Sequence, residues 1–202
     1  LRLDPAKLSV TRSPHLRDFE FPTLRALKAD CDAATEDLNI LYLHSKGASK
    51  DTRAAEDWRR LMLHFTVERY PEALKQLESH AACGVNIRKE PALHFSGNFW
   101  WARSSYIKQL KTIESLDQAD RYQAEFWIGD EGRGDLASLH DSGKDHWEQR
   151  YPRSAYCGAG PARFEPGLPK PVAFPGPGNA AVRLARRLRV SALSLKMALR
   201  RH

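Results

Sequence analysis

Four short segments carry residue types able to do chemistry. The first, Leu41-Tyr42-Leu43-His44-Ser45-Lys46-Gly47, ends an apolar run on a histidine and a lysine. In open α/β sheets ligands bind beyond the carboxyl ends of strands, so His44 and Lys46 stand where a ligand would arrive. The Lys46 ammonium is a point charge suited to a phosphate, and the His44 imidazole can donate to an oxygen or carry a proton near neutral pH. The same residues also fit an ordinary polar turn. The second segment, His140-Asp141-Ser142-Gly143-Lys144-Asp145-His146-Trp147, gathers two histidines, a lysine and a glycine in one loop. Binding a diphosphate needs cations and backbone N–H groups converging on one anion. Metal binding through His140, Asp141, Asp145 or His146 is the competing chemistry, although the spacing matches no standard metal motif. The third is Glu125, between Tyr122 and Phe126-Trp127-Ile128. A carboxylate set among bulky apolar groups has the surroundings of a general base, and equally those of a salt-bridged or helix-surface glutamate.

The fourth segment is His94-Phe95-Ser96-Gly97-Asn98-Phe99-Trp100-Trp101-Ala102. In an extended chain Trp100 and Trp101 point to opposite sides, so one ring is expected to pack inward while the other faces a cleft. Gly97 lets a backbone or a ligand approach closely, and the Asn98 amide both donates and accepts. Flat aromatic surface beside an amide suits a sugar-binding wall. A buried aromatic strand after a turn fits the same residues.

These segments need elements to hold them. Pro22 marks a helix start near Glu20, with Leu24 and Leu27 facing inward. Leu38–Leu43 reads as a buried strand. Trp58, Leu61, Met62 and Phe65 recur at helical spacing within a helix expected over about 51–70, and a second helix starts at Pro71. Ala82–Ile87 and the Trp-rich segment read as further strands, and Ser104 or Ser105 as the cap of a short helix. Strands alternating with helices predict an α/β layered domain over 1–157. The Pro/Gly-rich stretch 158–178 reads as a linker or wrapping arm. Residues 179–202 read as a basic amphipathic helix that packs on the body, meets an anionic membrane surface or binds a partner.

The chain has 202 residues and a formal net charge of +7. Eight of its 32 Lys and Arg lie beyond Pro166 with no acid among them, which leaves 24 basic against 25 acidic residues over 1–165. A nucleic-acid-binding domain carries its basic patch on the folded body, so the charge distribution argues against that class. Cys31, Cys83 and Cys157 are odd in number, far apart and in no CxxC pair, which favours free thiols and a reducing compartment. No stretch approaches the length of a membrane span. The expected location is cytoplasmic or membrane-associated, with any membrane contact peripheral and through the C-terminal helix. The sequence starts at Leu1, and a preceding N-terminal part is expected.

Tyr42-Leu43-His44-Ser45-Lys46-Gly47, Asp57-Trp58-Arg59-Arg60 with Met62, the His94–Ala102 segment and Glu125-Phe126-Trp127-Ile128 occur here in one order. In that order they resemble a group of glycosyltransferase-like proteins, over about Glu20 to Tyr156. The resemblance implies a Rossmann-like sandwich of the glycosyltransferase A type, whose first, base-binding strands are short or absent before Glu20. It implies transfer of a sugar from a nucleotide-sugar donor to a glycan or related acceptor. His94, Ser96, Gly97 and Asn98 would line the donor-sugar or acceptor pocket, and Trp100 or Trp101 would stack on a sugar face. Glu125 would be the base of an inverting enzyme, or would position substrate in a retaining one. His140 and Lys144 belong to a loop that echoes a diphosphate-binding loop. Many such enzymes end a central strand with Asp-x-Asp, whereas His44-Ser45-Lys46 stands there in this chain. The resemblance therefore implies one of two routes. In one, the Lys46 cation meets the leaving diphosphate without a metal. In the other, a divalent cation, manganese or magnesium, is held through His44 and the His140 loop. A non-catalytic carbohydrate-binding or scaffold domain of the same fold is the alternative.

Overall fold

The computed structural model describes residues 18–45, 52–132, 134–157 and 197–199. Lys46 and the Pro/Gly-rich stretch 158–178 lie outside the described residues, as does most of the expected C-terminal helix. Helix α1 spans Phe21–Ala33 with Pro22 in its first turn, where the missing N–H has no helical partner to lose. It buries Phe21, Leu24, Leu27 and Cys31 on one face. Strand β1, Asn39–Tyr42, is buried throughout. Helix α2, Arg53–Leu63, is capped by the Thr52 hydroxyl, which accepts from the Ala55 N–H at 3.2 Å. The helix expected over about 51–70 then widens into a π turn at His64–Glu68 before α3, Tyr70–Gln76. There the Thr66 hydroxyl bonds back to the Met62 carbonyl at 2.7 Å, and the Thr66 carbonyl accepts from the Trp101 indole at 2.7 Å.

The expected strand Ala82–Ile87 divides into β2, Ala82–Val85, and β3, Ile87–Arg88, because Asn86 takes φ 53° and turns the chain. Strand β3 pairs antiparallel with β4, His94–Phe95. Strand β5, Trp100–Arg103, runs straight into α4, Ser104–Ile107. Neither serine caps that helix with its side chain. Ser104 Oγ instead donates to Asp37 and accepts from the Leu38 N–H, tying α4 to the start of β1. Helix α5, Tyr122–Phe126, continues into a 3-10 turn, Trp127–Gly132, and β6 follows at Leu136–His140. Met197–Leu199 form β7, antiparallel to β1, so these three residues of the expected C-terminal helix are strand instead.

Among the described residues five strands form one sheet in the order β6-β2-β5-β1-β7. Only β2 and β6 are parallel; the other pairs are antiparallel. The architecture is α/β with a mixed sheet. Strand β5 is buried on both faces along Trp100-Trp101-Ala102, which explains that apolar run, and only Arg103 at its end is partly exposed. On one face Tyr42, Trp100 and Ala102 pack under α1, α4 and α5; on the other Leu41, Cys83 and Trp101 pack under α3, with α2 alongside. Trp100 and Trp101 do point to opposite sides, but neither faces a cleft. Both are fully buried, because helices cover both sides of the strand.

The packing of the 3-10 turn onto the chain before β4 is tight. A Cβ added at Gly129 would run into the carbonyl of Leu93. Backbone lies on both sides of this contact, so no side chain can yield. Gly129→Ala is therefore expected to destabilise by about 1–3 kcal/mol or more, read as a lowered denaturant midpoint with an unchanged slope.

Candidate functional site

The tight turn Ser96-Gly97-Asn98 joins β4 to β5 and organises the site. Gly97 takes φ 94° and Asn98 φ 58°. A Cβ at Gly97 would collide with the Met62 sulfur, so packing and backbone conformation both require glycine there. The buried Asn98 side chain accepts from the Trp100 indole N–H at 2.9 Å and donates to Glu20 Oε2 at 2.7 Å. Glu20, at the N-terminal end of α1, also accepts from the Tyr42 hydroxyl at 2.9 Å and pairs with His44 Nδ1 at 3.2 Å. His44 donates from Nε2 to the Gly97 carbonyl at 3.0 Å, and the Gly97 N–H donates to Glu125 Oε1 at 3.1 Å. The structure thus brings His44, Gly97, Asn98 and Glu125 together, as the sequence predicts, and adds Glu20 as a second carboxylate.

Burial, followed by the charge and hydrogen bond of Glu20 and the charge of Glu125, pushes the Tyr42 hydroxyl well above its ordinary range. Tyr42 therefore remains a neutral donor. Arg121 hydrogen-bonds the Tyr122 hydroxyl at 3.1 Å and feels the charges of both Glu125 and Glu20. A cation thus lies close to the two acids.

Ser96 faces a neighbouring cavity of about 430 Å³, lined also by Arg88, Asp141, Gly143, Lys144, Asp145 and His146. This is the expected loop, and its shape depends on Asn86. The Asn86 side-chain Oδ1 accepts from the N–H and hydroxyl of Ser142 at 2.8 and 3.0 Å, and its Nδ2 donates to His146 Nε2 at 3.0 Å. That bond leaves the proton on His146 Nδ1, a buried atom with no hydrogen-bond partner among the described residues. His146 stacks on Trp58 with ring centres 5.6 Å apart. Arg88 reaches Asp141 at 3.2 Å and the Lys144 carbonyl at 3.5 Å, tying β3 to the loop. Beside it Trp147 is 50 % exposed.

Four expected residues take other places. His94 is buried, donates from Nδ1 to the Ala92 carbonyl at 2.7 Å and leans on Phe126, so it braces the turn rather than lining a pocket. The Trp100 and Trp101 rings lie in the core with their N–H groups satisfied internally, and present no face to a sugar. His140 stacks on Phe65 at 4.7 Å and shares a hydrogen bond with Tyr151 at 3.0 Å, beside the cavity rather than among the residues that line it. Asp30-Cys31-Asp32 lies inside α1, where Asp32 pairs with Lys28 at 2.6 Å. Among the described residues no three His, Cys, Asp or Glu side chains are arranged to hold a metal ion, so the donor set for a divalent cation at His44 and the His140 loop does not fit. Sequence reasoning missed Glu20, Arg88, Asn86 and Trp147. Glu20 reads as no more than a helix start, and Arg88 joins the cavity only through the turn at Asn86. Trp147 carried a signal, a tryptophan directly after the His146 of the candidate loop.

A family model described as a domain of unknown function, DUF8361, matches residues 6–149, and the chain belongs to that family. No curated protein and no solved structure matches it. No described helix is long and apolar enough to cross a membrane. Cys31, Cys83 and Cys157 are all free thiols.

Burial lowers the pKa of both His140 and His146 below the ordinary 6.5. The unfolded chain therefore binds more protons than the folded one just below pH 6.5, and stability falls as pH drops through that value. The melting temperature should be steady above pH 7 and decline toward pH 5.5. His140→Phe, which keeps a ring on Phe65, should flatten that decline.

Proposed function

We propose that this member of the DUF8361 family is a glycosyltransferase of the A-type fold, moving a sugar from a nucleotide-sugar donor to a carbohydrate acceptor. One observation carries the reading. A single turn, 96–98, touches two carboxylates and a histidine on one side and opens, through Ser96, onto a cavity with Arg88 and Lys144 on the other. A reacting sugar seated at the turn would have its diphosphate over the cations and its anomeric carbon near an acid.

In this reading Arg88 and Lys144 bind the donor diphosphate, and Arg is well suited to grip phosphate oxygens with two donors. Glu125 takes the proton of the acceptor hydroxyl as that oxygen bonds to the anomeric carbon. The bond from that carbon to the diphosphate oxygen breaks, and the nucleoside diphosphate leaves with its charge met by the same two cations. The Gly97 N–H fixes the Glu125 carboxylate through Oε1. Glu20 and His44 hold the turn in place through the Asn98 amide and the Gly97 carbonyl. Trp147 supplies the exposed aromatic face for a sugar ring that Trp100 and Trp101 do not.

The test is a panel of uridine and guanosine diphosphate sugars, scored by thermal shift and by release of nucleoside diphosphate. A ligand at about a hundred times its Kd stabilises the folded chain by about 2.7 kcal/mol. Glu125→Gln is expected to keep that shift and to lose about 10²–10⁴-fold in turnover, whereas Arg88→Ala loses the shift. Stabilisation by free oligosaccharides with no response to any nucleotide would replace transfer with simple carbohydrate binding. Unchanged turnover in Glu125→Gln would remove it as the base.

A further inference from the structure

The geometry points to Cys157 as a nucleophilic thiol, with His64 as its base, that exchanges with low-molecular-weight disulfides. His64 opens the π turn at the end of α2, and Cys157 follows the 3-10 turn Arg153–Ala155. Ninety-three residues separate them in sequence, yet Cys157 Sγ lies 3.4 Å from His64 Nε2 and 3.8 Å from Nδ1. Nδ1 is committed to Glu68, to which it donates at 2.7 Å, so Nε2, the nitrogen nearer the sulfur, keeps the lone pair that takes a thiol proton once the Cys157 side chain turns from the ring face toward the ring edge. Glu68 is fixed in turn by Arg153, whose two guanidinium nitrogens meet its two oxygens at 2.9 and 2.6 Å. Nucleophile, base and a third group orienting the base form the arrangement that activates a weak nucleophile. The π turn fits the same reading, since such irregular turns concentrate at functional sites.

Burial works against a charge on Glu68, but the hydrogen bonds from Arg153 and His64 outweigh it and hold its carboxyl below the ordinary range. The groups facing His64 are Glu68 on its own turn, Arg153, Tyr156 and Cys157 on the C-terminal segment, and His140 on β6. The other two cysteines provide the contrast. Cys31 and Cys83 are buried, and burial pushes their thiols up to about 11 and about 12. Cys157 alone of the three is only partly buried.

In the proposed step the Sγ–H proton passes to His64 Nε2, and the sulfur attacks one sulfur of a small disulfide such as glutathione disulfide. The old S–S bond breaks and a mixed disulfide forms on Cys157. The departing thiolate recovers the proton from His64. The adduct sits on a segment that also carries Tyr151, whose ring stacks on Tyr156 and whose hydroxyl meets His140.

The full chain would be exposed for timed intervals to iodoacetamide and to glutathione disulfide at pH 7, folded and in urea. Each cysteine would then be followed by peptide mass spectrometry. In the folded chain Cys157 is expected to react at least about tenfold faster than Cys31 and Cys83, and faster than it does itself in urea. His64→Gln should return Cys157 to its urea rate, and Glu68→Gln should move the pH at which its rate rises. Protection of Cys31 and Cys83 shows whether each variant is folded. If His64→Gln exposes them, the folded-against-urea comparison on the unaltered chain decides alone. A folded rate no greater than the urea rate, or one unaffected by His64→Gln in a folded variant, overturns the proposal.

Discussion

The structure around the candidate site depends on the left-handed turn at Gly97 and Asn98. Two successive residues with positive φ are costly for any side chain but glycine and, to a lesser degree, asparagine. Here the conformation is imposed from outside the turn. The Met62 sulfur closes the space beside Gly97, and the Trp100 indole fixes the Asn98 side chain from below. Because Trp100 is locked in the sheet by its stack on Tyr42, with ring centres 4.8 Å apart, the core itself determines where the turn points its groups. The Gly97 N–H is thereby directed at Glu125, its carbonyl at His44, and the Asn98 amide at Glu20.

Glu20 satisfies two donors at once, the Tyr42 hydroxyl and the Asn98 amide, and lies 3.2 Å from His44 Nδ1. Two of those residues, Tyr42 and Asn98, are buried. A buried donor left without a partner costs about 1–3 kcal/mol, so Glu20 is structural in a way that Glu125 is not. Glu125 takes from the turn one backbone hydrogen bond, from the Gly97 N–H to Oε1. The two acids thus divide their duties. The inner one maintains the turn, and the outer one, on a short helix beside the exposed Tyr122, is the one that the proposed function uses as a base.

Much of the fold was legible because its signals are local. Pro22 in the first turn of α1, the Thr52 cap and the stripe of Trp58, Leu61, Met62 and Phe65 each act within a few residues. The meeting of His44, Gly97, Asn98 and Glu125 was legible as motifs. The role of Trp100 and Trp101 was not, because alternation along a strand says which rings point apart but not whether a helix covers each side. Helices cover both. The break at Asn86 was hidden for a related reason. Its left-handed conformation is matched by contacts with Ser142 and His146, over fifty residues away, and no local pattern announces them. The mixed direction of the sheet is likewise set by which strands meet across it, and alternation of elements predicts layers better than order.

The loop that lines the cavity is held by rings more than by charges. Arg150 reaches Asp57 at 2.9 Å, but its side chain is about half exposed, and pairs of that kind contribute little in water. The Arg153–Glu68 pair is better shielded and bidentate. Around it the contacts are aromatic: His146 on Trp58, His140 on Phe65, and Tyr151 on Tyr156 with the planes within 19°. These stacks carry a continuous path from the cavity-lining His146 through Tyr151 and Tyr156 to His64. A change in the charge or bulk at His64 therefore meets packed rings rather than solvent on the side toward the cavity, and rings packed at this density shift together or not at all.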